Sequence, residues 1–362
     1  MTPNPDPAAG RAADPGVSLA CPIPFTDYAS VLMAHGGGGR LSQQLIQKMF
    51  VPQFDNPLLA PLHDGAVFTA GGTRFAFSTD SYVISPIFFP GGDIGELAVN
   101  GTVNDLSMCG ARPLYLSSAF IIEEGLPMDD LWKIVLSMQA AARRAGVQLV
   151  TGDTKVVDRG KGDGIFINTS GIGIIEGDVD VSPRRARPGD RIIVNGPIAS
   201  HGIAIMSLRE GLEFDTRITS DTAPLNALTQ EILRQAGKDV HVLRDPTRGG
   251  VASVLNEIAE SSGAGIALVE ESIPVSDEVR GACEILGLDP LYVANEGKML
   301  VFVSPGSAGK VLAAMRAHPA GKDSALIGEV VADHPGMVVM RSTIGGNRVV
   351  DMLSGEQLPR IC

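Results

Sequence analysis

Four aspartates in this chain stand where an apolar strand ends or an apolar helix face is interrupted. They are Asp64 in His63-Asp64-Gly65, Asp80 in Ser78-Thr79-Asp80, Asp105 in GTVNDLSMCG, and Asp153 in Gly152-Asp153-Thr154-Lys155. Carboxylates brought to one sheet edge by separate elements can hold a hard cation such as Mg²⁺, with phosphate oxygens and waters completing its shell. Each aspartate alone also reads as a turn or cap residue; the set is more specific than its members. Lys155 lies close behind the last acid. It would meet a phosphate, move a proton if its pKa fell, or be a solvated surface lysine.

Asp245-Pro246-Thr247-Arg248-Gly249-Gly250 opens a helix. Backbone N–H groups at a helix N-terminus bind anions, and glycines permit close approach; a plain N-cap and turn gives the same pattern. The run His35 to Arg40, HGGGGR, reads as a weak phosphate loop or a flexible linker. Glu296, in Asn295-Glu296-Gly297-Lys298, precedes an apolar strand and by itself reads as a turn carboxylate. Cys362 ends a polar segment of about 17 residues that, at ~3.3 Å per residue, could swing its thiol some tens of ångströms. Such a thiol can be loaded at one site and processed at another, or be an incidental last residue. There is no GxxxxGK[ST] and no GxGxxG after a strand, so the common nucleotide folds are not supported. The 6 histidines show no HxH or HxxxH spacing, which argues against a transition-metal site. Cys109 and Cys283 read as small buried residues.

The elements that must position these residues follow from periodicity. Ala66 to Ala70 and Thr73 to Thr79 flank Gly71-Gly72, a two-residue hairpin signal. A helix is predicted over Ile94 to Met108, a strand over Leu114 to Ile122, and a helix from Pro127 to about Ala145 with Leu131, Val135, Met138 and Ala142 on one face. Val147 to Thr151 reads as a buried strand, so that Gly152 to Lys155 follow it, and Ile165 to Ile175 as another. The polar stretch RRARPGD, 184–190, marks a boundary. Beyond it come strands at Arg191 to Asn195, Gly265 to Val269, Met299 to Val303 and Met337 to Met340, with helices near Ser200 to Arg209, Ala223 to Gln235 and Gly250 to Ser262. The expected division is a mobile segment with a glycine loop (1–40), a domain at 41–183, a second at 184–345, and a flexible tail at 346–362.

Composition narrows the class. The 362 residues, 44% hydrophobic and 19% charged, suffice for the cores of about two domains. A net charge of −12 argues against broad binding to a nucleic-acid backbone. No apolar run is long enough for a membrane span. The first residues lack the basic and apolar regions of a secretory signal. The 4 cysteines form no CxxC pair, so a reducing cytoplasm is the expected setting.

HGGGGR, HDGAV, STDSYVISP, GGDIGELAVNGTVNDLSMCGARP, GDTKVVDRGKGDG, RDPTRGGVA, NEGK and the closing PRIC follow one another in an order that resembles the HypE family of hydrogenase maturation factors, or carbamoyl dehydratases. The resemblance runs over about residues 25–362. The strand-and-aspartate motifs alone specify only the superfamily of aminoimidazole ribonucleotide synthetase, selenophosphate synthetase and thiamine-monophosphate kinase; the closing Pro-Arg-Ile-Cys narrows it. Ala199-Ser200-His201-Gly202 departs from the family's frequent Gly-Asp-His-Gly, so Ser200 receives no role.

The resemblance implies a mixed α/β N-terminal domain whose sheet closes a barrel across a homodimer, and a C-terminal α/β domain, with ATP between them. It implies that the carbamoyltransferase HypF loads Cys362, that ATP dehydrates the S-carboxamide to an S-cyanate, and that the cyanide passes to iron on a HypC–HypD complex. Asp80, Asn104, Asp105, Asp153, Thr154, Arg248, Gly249 and Gly250 would bind the nucleotide. Asp64, Asp80, Asp105 and Asp153 would hold Mg²⁺, and Lys155 and Glu296 would assist Cys362. Two other classes stay open. One is a different ATP enzyme of the superfamily, a selenophosphate synthetase or a small-molecule kinase; the synthetase would favour a reactive cysteine beside the glycine loop, and HGGGGR has none. A non-enzymatic scaffold is disfavoured by intact acids at every motif position.

Overall fold

The computed structural model describes residues 28–212, 218–355 and 360–362; the expected mobile residues 1–24 and Cys21 lie outside these. A 3-10 turn, Met33–Gly36, leads into α1 (Arg40–Leu45), a π-helical turn (Ile46–Phe50) and α2 (Val51–Gln53). The first sheet starts with β1 (Ala66–Ala70) and β2 (Thr73–Tyr82). They are joined through Gly71 and Gly72 at φ 58° and 81°, the left-handed turn that matches strand twist. A short pair, β3 (Phe88–Phe89) and β4 (Gly92–Asp93), precedes α3 (Ile94–Met108). Asp93 caps α3, its carboxylate accepting from the N–H groups of Gly95 and Glu96. Then come β5 (Arg112–Glu123), α4 (Met128–Ala145), β6 (Gln148–Val157) and β7 (Ile165–Ile175).

The sheet order is β1-β2-β7-β5-β6, antiparallel except for β5–β6. Every residue of α3 except Glu96 and Asp105 is buried. A helix apolar on all sides must sit in a core, and α3 packs against β2, β7 and α4. Strand β7 alternates buried and half-buried residues along its length, so one face of the sheet meets α3. Edge strand β6 is exposed almost throughout.

Segment 186–190 leads into the second sheet, built from β8 (Arg191–Val194), β9 (Val240–Arg244), β10 (Gly265–Val269), β11 (Leu300–Val303), β12 (Ala325–Val331), β13 (Val338–Arg341) and β14 (Asn347–Val349). Its order is β14-β13-β10-β12-β8-β11-β9, with only β10–β13 parallel. Helices α5 (Ser200–Arg209), α6 (Asn226–Ala236), α7 (Gly250–Ser262), α8 (Asp277–Leu286) and α9 (Pro305–Ala317) accompany it. Strand β11 is buried at all its positions, as an inner strand covered on both faces must be. Among the described residues no helix is long and apolar enough to cross a membrane.

Three expectations are corrected here. Gly152 to Lys155 do not follow a buried strand; they form the middle of the exposed β6, continued by pairing with β5 through Val157. The buried face of α4 is Ile134, Met138, Ala141, Ala142 and Ala145, whereas Val135 is exposed, because packing on α3 selects the stripe beside the one predicted. The final segment expected to be free from residue 346 begins instead with β14, paired to β13.

Candidate active site

Three acids from three elements converge. Asp64 precedes β1, Asp105 projects from the buried α3, and Asp245 follows β9; each offers a carboxylate oxygen within 4.8 Å of the other two. The Ser78 hydroxyl stands 2.7 Å from both the Asp105 carboxylate and the Asp64 carbonyl, tying β2 to the cluster. Arg244 sets its Nε 3.1 Å from Asp64 and its Nη2 2.6 Å from Glu257. Two guanidiniums, Arg244 and Arg248, cannot neutralise so many acids. Burial first, and then Asp245, Asp80 and Asp64, raise Asp105 well above the usual carboxylate range. Burial and then Asp64 push Asp245 up to about 8, against the opposing pull of Arg244. The buried Asp64 Oδ2 has no hydrogen-bond partner among the described residues. An excess of hard oxygen donors with raised pKa values and an orphaned oxygen fits a divalent cation such as Mg²⁺. Half-buried Asp80 stands beside this group; burial raises its pKa and Arg248 counters it.

The cluster floors a cleft of about 880 Å³ between the two domains, a volume suited to a nucleotide. Its mouth includes His35, Gly36, Gly38 and Gly39 of the glycine run, with Phe50 and Leu62 nearby. The run threads between Arg248 and the last segment of the chain. At Gly38, φ is +73° and a Cβ would meet the Arg248 Cβ at 2.6 Å. At Gly39 a Cβ would meet the Leu353 carbonyl at 2.5 Å. The loop is therefore held by close packing rather than free, and the Arg248 guanidinium donates to the Gly36 carbonyl at 3.1 Å. Gly249 and Gly250, at positive φ, open α7 beside it.

Cys362 lies inside, only 7% exposed. Its carbonyl accepts from the Val83 N–H at 2.9 Å, and Arg360 Nε donates to the Val83 carbonyl at 3.0 Å, so the last residues lie alongside the segment after β2. Burial, opposed by Arg248, pushes the thiol up to about 12. Arg248 in turn is held more firmly charged by Cys362 first, then by Asp80 and Glu296. Glu296 is 4% exposed, and its Oε1 has no hydrogen-bond partner among the described residues. Burial first, then Asp80, Asp221 and Asp245, raise it well above the usual range. The surface-turn reading of Glu296 fails: its backbone N–H donates to Asp221 at 3.0 Å and Asn104 Nδ2 donates to its carbonyl at 3.2 Å.

Other expected residues sit elsewhere. Asn104 spends its amide on protein, donating also to the Ala223 carbonyl at 3.1 Å and accepting from the Leu225 N–H at 2.8 Å, so it joins the domains and positions Glu296. Asp153, Thr154 and Lys155 lie on β6, away from the acid cluster of the same chain. Asp153 is 61% exposed and paired with Lys155 at 2.5 Å. The cluster therefore takes Asp245 where Asp153 was expected, because β6 is the far edge of the sheet while β9 ends beside Asp64. Sequence reasoning had Asp245 only as a helix opener. It also passed over Tyr82, a fully buried phenol whose pKa is raised by burial first and then by Asp80, Asp105 and Glu296. Its position two residues past Asp80, next in period on the same face, was the available signal.

Comparison with known proteins bears on this arrangement. Residues 62–175 match the N-terminal domain and residues 187–340 the C-terminal domain of the AIR synthase related protein family. Carbamoyl dehydratase HypE of Cupriavidus necator is 55% identical over 331 residues, 91% of this chain and 94% of that protein. The chain belongs to the HypE family. The Escherichia coli HypE is 49% identical, covering 92% of this chain and 99% of its own length. A crystal structure of a HypE–HypF complex aligns with a TM-score of 0.82 at 50% identity, over 85% of this chain and 99% of that one. A HypE structure in complex with ATP aligns at 0.78 and 52%, over 92% and 100%. A thiamine monophosphate kinase from Aquifex aeolicus, 19% identical with a TM-score of 0.60 over 80% of this chain and 95% of that one, shares the fold alone.

Proposed function

We propose that this HypE-family chain dehydrates a carbamoyl group carried on Cys362 at the expense of ATP, forming an S-cyanate that supplies cyanide to the iron of a [NiFe]-hydrogenase. The observation that carries the reading is the burial of Cys362 within electrostatic reach of the buried Glu296, whose Oε1 has no hydrogen-bond partner among the described residues, with Arg248 acting on both the thiol and the acids of the cleft. An S-carboxamide loaded on the undocked thiol by a HypF-type carbamoyltransferase and then returned to this seat brings an NH₂ group, the donor that Glu296 Oε1 lacks.

An amide oxygen is a poor leaving group. Transfer of the γ-phosphoryl group to it breaks the terminal P–O bond of ATP, releasing ADP, while one N–H proton goes to Glu296. The C–O bond then breaks with its electron pair on the departing phosphate, which takes the second N–H proton and leaves as hydrogen phosphate, and the C≡N bond is complete. Arg248 opposes the charge that develops beside the sulfur. Asp64, Asp105 and Asp245, with Asp80 close by, would hold Mg²⁺, which when bound neutralises charge on the phosphoryl group.

Lys155, Asp153 and Thr154 enter this reading through a second copy. Edge strand β6 exposes Leu149, Val150 and Val156, and the same sheet exposes Phe77, Tyr115 and Ile121. An exposed apolar edge calls for cover, and a homodimer closing the sheet into a barrel supplies it. Lys155 of the partner subunit then joins the site as a charge-stabilising or proton-transfer group. We place the reaction in the cytoplasm, with a HypC–HypD complex as acceptor of the cyanide. Single-turnover conversion of pre-carbamoylated protein, followed by mass, tests the reading. Carbamoylation adds ~43 Da to the last peptide and dehydration removes ~18 Da of it, the formula masses of a covalent thiol intermediate. An adduct on Cys21, Cys109 or Cys283 in place of Cys362 would contradict it.

A further inference from the structure

His201, near the start of α5, is fully buried and plays no part in the chemistry above. Both ring nitrogens are engaged. Nε2 lies 2.7 Å from the Ile361 carbonyl, the residue before the reactive cysteine, and Nδ1 lies 2.8 Å from the Ser220 hydroxyl. A carbonyl only accepts, so Nε2 carries the proton. Burial lowers the pKa of His201, which keeps the ring neutral and leaves Nδ1 as an acceptor for the Ser220 O–H. Ser220 Oγ in turn accepts from the Thr222 N–H at 3.1 Å. The relay is saturated: Thr222 to Ser220 to His201 to the Ile361 carbonyl. It is also shared with the site, because Asp221, between the two relay residues, accepts from the Glu296 N–H at 3.0 Å. Arg209, about two turns further along α5, donates from Nε to the Ser85 carbonyl at 2.6 Å and from Nη2 to the Arg360 carbonyl at 2.5 Å.

We infer that His201, backed by Ser220 and helped by Arg209, is a positioning residue that latches the last residues of the chain inward and sets Cys362 against Glu296. The hydrogen bonds run to main-chain carbonyls of Arg360 and Ile361, so the latch holds the segment whatever group the sulfur bears. It must also be weak enough to release, since a thiol buried this deeply cannot meet a carbamoyltransferase. The inference rests on the function proposed above, and its test stands apart from that function.

The test is alkylation of Cys362 by iodoacetamide, read on the last peptide by mass spectrometry without ATP or a carbamoyl group. His201→Phe keeps the edge-on packing against Phe89, whose ring lies 5.6 Å away, but has no donor. It should alkylate Cys362 about tenfold faster or more than wild type, a shift of about 1.4 kcal/mol in the docking equilibrium. His201→Gln restores a donor near the Nε2 position and should stay within about threefold of wild type, as expected when the buried carbonyl regains its partner. In carbamoylated protein, His201→Phe should slow dehydration at saturating ATP and leave the KM for ATP unchanged. A folded His201→Phe that alkylates within about threefold of wild type, or equal acceleration in both variants, would overturn the latch. If His201→Phe does not fold, Arg209→Met on the half-buried face of α5 carries the same test with the same outcomes. Failure of the latch leaves dehydration intact as a reading; absence of S-cyanate from wild type strikes the reading and not the latch.

Discussion

Burial and neighbouring acids make Glu296 a stronger base than a surface glutamate, and ionised in a smaller fraction at neutral pH. The sign for activity follows. The base works when deprotonated, so single-turnover dehydration should rise with pH along a limb that lies above the ordinary carboxylate range. Glu296→Gln keeps size and cannot accept the proton. It should bind ATP and accept the carbamoyl group, yet lose ~10²-fold or more in dehydration rate and accumulate S-carboxamide. A loss within about threefold would return Glu296 to a structural role. The acid cluster makes an opposite pair of predictions. Asp105→Asn removes one of several crowded buried charges, so metal-free protein should melt higher than wild type while Mg-ATP no longer raises its melting temperature. Calorimetric titration of Asp105→Asn and Asp245→Asn that gave wild-type Mg-ATP affinity in both would remove the metal site.

Elements with one clear period were legible in the sequence. The Gly71-Gly72 hairpin, the helix Ile94–Met108 and the helix Gly250–Ser262 stand where their turn and apolar signals put them. What escaped depended on partners distant in sequence. Strands β9 and β12 carry short apolar runs whose strand character comes from lying beside β11 and β8, and α8 and α9 were not anticipated at all. The site divides the same way. Motif order and chemistry pointed to Asp64, Asp80, Asp105, Glu296 and Cys362, but only the ending of β9 beside Asp64 reveals that Asp245 completes the cluster. Strand β6 carries the remaining difference, because its acid and lysine face outward from a single copy. Mixing Lys155→Ala with Glu296→Gln tests the cross-subunit role. Each variant alone should be nearly inactive. Random exchange into heterodimers should restore about a quarter of the wild-type rate, since about half the dimers are mixed and each has one intact site. No recovery in proven heterodimers would place Lys155 outside the partner's site.

At the scale of the molecule, the last residues of the chain link the two domains, bonded to Val83 and Ser85 of the first and to His201 and Arg209 of the second. Docking also couples to the thiol's proton. Cys362 rises from an ordinary 9.0 to about 12 when docked, so docking is fully favoured below pH 9 and weakens as pH climbs toward the docked value. The alkylation protection of wild type relative to His201→Phe should therefore shrink between about pH 9 and 11; constant protection over that window would mean the thiol does not lose water on docking. The central claim is that ATP activates the amide oxygen of a group on Cys362. It is tested most directly with protein whose S-carboxamide carries ¹⁸O in its carbonyl, followed through one turnover with ATP. The label should appear in the released inorganic phosphate, with S-cyanate left on Cys362. Label in water with unlabelled phosphate would contradict phosphoryl transfer to the amide oxygen.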